Sequence, residues 1–118
     1  MARDLSFWKK KKNVQIKNSE IYEGLSKGKY LDCVYEIPSE QILQDITYEF
    51  AEWEQLNGFC FERHYESFQI FITNQFVRVD CYSMTEQSMN KIIDILLKYG
   101  CPLYDAAIDV RFDGDANN

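Results

Sequence analysis

Residues 30–37, YLDCVYEI, alternate between apolar and polar positions. Leu31, Cys33, Tyr35 and Ile37 fall on one face, Asp32 and Glu36 on the other, which is the period of a half-buried strand. Pro38 stops that strand, and Ser39 is placed to cap a helix. From 39 to 58 the pattern changes. Ile42, Ile46, Phe50 and Trp53 recur at spacings of four, four and three, one apolar stripe of a helix that Asn57–Gly58 ends.

Three short alternating runs follow. In 59–65, Phe59, Phe61 and Tyr65 oppose Cys60, Glu62 and His64. In 67–73, Phe68, Ile70 and Ile72 share a face that Phe71 does not. In 76–82, Val77, Val79 and Cys81 face in, while Phe76, Arg78, Asp80 and Tyr82 face out. Asn74–Gln75 suits a hairpin tip, and the first two runs could also form one long bent strand. Ser83 and Glu86 then read as a capping box for a helix reaching Tyr99, with Met89, Ile92, Ile93, Leu96 and Leu97 inward. Gly100 terminates it and Pro102 blocks a restart. A last strand, 106–113, points Ile108, Val110 and Phe112 inward and Asp109, Arg111 and Asp113 outward.

The N-terminal region reads differently. Residues 1–17 form a basic arm, and 18–28 a short helix capped by Asn18 or Ser19, with Ile21, Tyr22 and Leu25 inward and Gly28 near its end. The order β-α-β-β(-β)-α-β predicts an α+β two-layer sandwich on a ferredoxin-like plan. Its mainly antiparallel sheet has four or five strands, two main helices cover one face, and the other face is wet. The expected organisation is an arm (1–17), one domain (18–113) and a disordered tail (114–118).

Charge sharpens this picture. Residues 1–31 carry eight basic side chains against three acidic ones, whereas 32–118 carry five against sixteen. The net −6 thus conceals a strongly acidic body behind a basic leader. The run FWKKKK, Phe7–Lys12, admits three readings: a grip on nucleic acid, contact with an anionic membrane, or packing of Phe7 and Trp8 on the domain with lysines in water. The acidic body would repel a polyanion, and four lysines with one aromatic pair bind a bilayer weakly. The third reading is therefore preferred, with no nucleic acid and no stable membrane association expected.

Little in the chain suggests catalysis. ERHYE would place Glu62, His64 and Glu66 on one side of a strand, where a histidine between carboxylates could act as a base or hold a metal. The plainer reading is an exposed polar face. Cys60, four residues before His64 on an extended strand, would lie about 13 Å away, too far to pair with it. Cys33, Cys60, Cys81 and Cys101 are scattered without a CxxC motif and read as reduced thiols. A phosphate-cradling glycine loop and a GxSxG elbow are both missing. No cofactor, no metal and no catalytic set is expected. An apolar run after the lysines is also missing, so a cytoplasmic protein is expected.

The wet face therefore points to binding. Asp32, Glu36, Glu62, His64, Glu66, Phe76, Asp80, Tyr82 and Asp109 are its expected partner-binding residues, an acidic surface with aromatic anchors. Aromatics make up 15% of the chain, more than a core of this size needs. The leading expectation is a stoichiometric inhibitor, specifically a bacterial immunity protein that occludes a basic, nuclease-type toxin. A self-associating ferredoxin-like regulatory or ligand-binding module is the alternative, and an enzyme using Glu62, His64 and Glu66 the third. The oligomeric state is not legible in the sequence.

Overall fold

The computed structural model describes residues 2–112. The expected tail, 114–118, and Asp113 lie outside the described residues. Ten elements follow one another: β1 (Ala2–Phe7), α1 (Asn18–Ser26), α2 (Ser39–Glu49), β2 (Glu54–Asn57), β3 (Cys60–Arg63), β4 (Glu66–Ile72), β5 (Val77–Tyr82), α3 (Glu86–Lys98), β6 (Leu103–Asp105) and β7 (Val110–Phe112). The strands form one antiparallel sheet in the order β2-β3-β4-β5-β1-β6-β7. The fold remains α+β. However, the expected four- to five-stranded ferredoxin-like sandwich is overturned by this seven-stranded sheet.

The largest correction is the basic arm. Its first residues are β1, an interior strand paired with β5 from Ala2↔Tyr82 to Phe7↔Val77 and with β6 at Ser6 and Phe7. Leu5 and Phe7 enter the core beneath α2 and α3, while Ser6 and Trp8 are buried on the opposite face. Alternation thus holds in DLSFW, and burial of both faces outweighs the lysines that follow it. Phe7 and Trp8 do pack on the domain. Lys9 and Lys11 lie over the Tyr35 ring at 5.6 and 5.5 Å.

The second correction concerns 30–37, which is irregular apart from one bridge, Lys10↔Val34. Its alternation reflects a covering loop. Val34 and Ile37 are buried in different cores, and the Gln75 side chain holds the Leu31–Val34 turn. The third is the helix expected over 39–58. Ile42, Ile46, Phe50 and Trp53 are buried as its stripe requires, but α2 ends at Glu49. Phe50 and Trp53 meet edge-on at 5.0 Å, and both contact Phe68. The chain turns to seat both rings, and the next residues pair with β3 as β2.

Smaller shifts have local causes. Runs 59–65 and 67–73 are two strands of a hairpin, separated by His64–Tyr65, with His64 at φ 56°. Lys17 occupies the cap position of α1, with no side-chain cap bond. Ser39 caps nothing; its hydroxyl donates to the Thr73 carbonyl. Helix α3 is capped by Thr85, whose hydroxyl accepts from the Ser88 amide at 3.1 Å, while Ser83 adopts φ 56°. The strand expected over 106–113 shortens to β7, paired with β6 across a turn, and Ile108, Val110 and Phe112 are exposed.

Two cores result. One lies between the sheet and α2–α3. The other lies between the sheet and α1 with the leader, and comprises Trp8, Ile21, Leu25, Val34, Phe76 and Tyr104. Among the described residues, no helix is long and apolar enough to cross a membrane.

Candidate functional site: the open half of the second sheet face

The face expected to be wet is half covered. Helix α1 and the loops flanking it bury Ser6, Phe76 and Tyr104, leaving two rows of cross-strand neighbours open. One row runs Asn57, Cys60, Gln69, Asp80, Asp4; the next runs Glu54, Glu62, Ser67, Tyr82. Residues two apart on a strand share a face, and in β2 a register shift between Gln55 and Asn57 brings Glu54 and Asn57 opposite Glu62 and Cys60, so both rows look out together.

These rows oppose like charges directly. Glu54 faces Glu62 across β2–β3, and Asp4 faces Asp80 across β1–β5. Such pairs are destabilising in an isolated sheet. Among the described residues, Asp80 alone of these four is closely compensated: the Arg78 guanidinium meets it at 3.1 Å while lying 5.0 Å from the Phe71 ring centroid. Burial pushes the Asp4 carboxyl up, Asp80 adds to this, and Arg78 and the Tyr22 hydroxyl, 3.5 Å away, pull it back in part. Tyr82 stands 44% exposed beside them as a ring anchor.

Of the nine expected partner-binding residues, this face gathers Glu62, Asp80 and Tyr82. Asp32 and Glu36 sit on the covering loop, where Glu36 accepts from the Tyr30 hydroxyl at 3.0 Å and pushes that phenol up. His64 is exposed in the hairpin turn, not on a strand face. Glu66 lies beyond that turn on the helix side of β4. Burial pushes its carboxyl up, but the Thr85 amide, donating at 2.9 Å, the Ser88 and Thr85 hydroxyls and Arg63 outweigh this and hold it low. Glu62, His64 and Glu66 are therefore not brought together. Phe76 is 0% exposed, because the side of β5 expected to be wet is roofed by Trp8 and Tyr22 there. Asp109 lies in the β6–β7 turn at φ 52° and accepts from the Tyr104 hydroxyl at 2.7 Å.

Sequence reasoning missed Asp4 and Glu54. The signal for Asp4 was the alternation of Leu5 and Phe7 beside it; Glu54 was hidden inside an apparent helix. Burial pushes the Cys81 and Cys101 thiols up to about 12 and about 11, the state of unreactive core cysteines. Among the described residues, no group of three or more His, Cys, Asp or Glu side chains is placed to hold a metal ion. No family model, no curated protein and no solved structure matches the chain.

The opposed pairs make a stability prediction. Asp4→Asn removes one charge facing Asp80 and should stabilise the fold by about 0.2–1 kcal/mol at pH 7. The folded-state carboxyl is raised above its ordinary value of 3.8, so the native state favours its protonated form. The repulsive cost is therefore present at neutral pH and fades as pH falls through the raised value. Urea midpoints of variant and wild type should differ at pH 7 and converge near pH 4 or below. A gain that persists undiminished at low pH would mean that charge is not its source.

Proposed function

We propose that this chain is a small protein-binding inhibitor that masks a basic partner with the open acidic half-face. The observation supporting this is the pair of directly opposed carboxylate pairs on one sheet face, Glu54/Glu62 exposed and Asp4/Asp80 partly buried. A sheet that retains two like-charge juxtapositions is less stable than it could be, and cations from a partner would relieve both. Carboxylates steer encounter and Tyr82 supplies contact area, the division of labour common at charged interfaces. In its narrower form, the protein is a cytoplasmic bacterial immunity protein. Its carboxylates would occupy the phosphate-binding lysines or arginines of a nuclease-type toxin and close the cleft by occlusion, with no reaction of its own.

Glu62→Lys separates fold from function. It turns the Glu54/Glu62 repulsion into an opposed ion pair, so the fold should gain a few tenths of a kcal/mol. Binding should move the other way. Tagged wild-type protein, used to capture partners from the source cells, should retain one basic protein stoichiometrically at low salt and lose it as salt rises. With that protein purified, Glu62→Lys should slow association about tenfold. A variant that associates as fast as wild type would remove the face from the interface.

A further inference from the structure

An open strand edge lies inside the sheet. β1 pairs with β5 along its whole length but with β6 only at Ser6 and Phe7. β6 ends at Asp105, in register with Leu5, and the chain turns away toward β7, so among the described residues no strand lies beside Ala2–Asp4 on that side. A cavity of about 960 Å³ opens there. Met84 and Met89 give it an apolar wall, and Asp4, Glu86 and Asp105 outnumber Arg3 in its lining. Asp105 is 7% exposed and forms an ion pair with the half-exposed Arg3 at 3.3 Å. Asp4 lines this cavity and also belongs to the acidic face, so a single partner can reach both.

We propose that the cleft takes an extended segment of the same basic partner, added beside β1, with a lysine or arginine side chain entering the cavity. This rests on the reading above. An open edge offers backbone hydrogen bonds to an added strand, and the cavity selects one of its side chains. A long cationic side chain fits that lining: its stem covers the methionines and its charge meets Glu86 and Asp105. Two other occupants fit less well. Residues 113–118 contain Asp113 and Asp115 and no basic residue. A second copy carries −6 overall, and its lysine run is engaged, with Lys9 and Lys11 over Tyr35 and their backbones bonded to residues 33 and 35.

The test uses the full-length, ¹⁵N-labelled protein and two synthetic peptides, acetyl-Thr-Val-Arg-Val-Thr-amide and the same peptide with neutral citrulline for arginine. The arginine peptide should shift the amides of Arg3, Asp4, Glu86 and Asp105 and bind about tenfold more tightly than its citrulline twin, the value of one charge-assisted contact. Ala107→Trp, at an exposed position lining the cavity, should abolish those shifts, while Glu62→Lys should leave them in place. Equal affinity for both peptides, shifts confined to β2–β3, or no shifts at millimolar peptide would overturn the proposal. So would concentration-dependent shifts at the same amides without peptide, or binding that appears only in a chain ending at Phe112. Partner capture lost in Glu62→Lys but intact in Ala107→Trp would retain the face and discard the cleft. The converse result would do the opposite.

Discussion

A chain lacking residues 1–8 will not fold. That segment looks dispensable from its composition, yet it supplies the strand that joins β5 to β6. Without it the sheet divides between β5 and β6, and each is left with an unpaired edge. Leu5, Phe7 and Trp8, all essentially inaccessible, leave both cores at once. Truncating a buried Phe or Trp to Ala costs about 3–5 kcal/mol, and domains of this size are stable by about 5–15 kcal/mol. The deletion removes two such rings together with the central ladder, so the balance falls below zero. Trp8→Ala is the graded version. Trp8 lies 5.0 Å from Tyr104, 6.3 Å from Phe76 and 5.3 Å from the Arg111 guanidinium, so its loss should cost about 3–5 kcal/mol. Circular dichroism and urea unfolding give the readout for both. Replacing Lys10 and Lys12 by Gln should change the midpoint by less than about 0.5 kcal/mol. A truncated chain with native amide dispersion would refute the central role of β1.

The lysines explain why this strand was hard to read. A run of four like charges is the strongest local signal in the first seventeen residues, and it masks the short alternation Asp4–Leu5–Ser6–Phe7 that precedes it. Where short-range period decided the outcome, reading succeeded: α1, β4 and β5 follow their apolar spacing, and α3 does so for Met89, Ile92 and Leu96, while Leu97, expected inward, is exposed and Ile95 is buried in its place. It failed where a distant contact decides. The alternation in 30–37 is real, but its apolar members are buried by a loop that Gln75 pins from more than forty residues away. The stripe through Phe50 and Trp53 fits a helix and fits a turn equally well, and Phe68, on another strand, selects the turn. In ERHYE no glycine marks the hairpin; His64 takes the left-handed conformation itself. The site was half legible for the same reason. That acids and rings would share a sheet face could be read from Glu62, Asp80 and Tyr82. That Asp80 faces Asp4 depends on β1 lying beside β5, and no local pattern encodes strand order.

Gln75→Glu should be the most damaging single-atom change outside the apolar cores. The side chain is 2% exposed and fully used: its amide nitrogen donates to the Leu31 carbonyl at 2.7 Å and the Val34 carbonyl at 2.8 Å, and its oxygen accepts from the Leu31 amide at 2.8 Å. A carboxylate keeps the acceptor and loses both donors. Two buried carbonyls then face an oxygen anion in a site with little access to water. Each stranded group costs about 1–3 kcal/mol, and the buried charge adds to that, so about 3–5 kcal/mol is expected at pH 7. The deficit should depend on pH in a fixed direction. Burial and the two carbonyls raise the folded-state pKa of the introduced acid above its unfolded value, so the native state favours the protonated form. Protonation restores one donor, and the gap to wild type should narrow as pH falls from 7 toward 4. Gln75→Leu lacks that charge and should show a gap that does not narrow in this way. If Gln75→Glu matched wild type in urea midpoint at pH 7, the Leu31–Val34 turn would be held by packing alone. If the deficit appears and titrates, one amide is what keeps the covering loop over Trp8 and Phe76, and so sets where the covered half of the sheet ends and the acidic half begins.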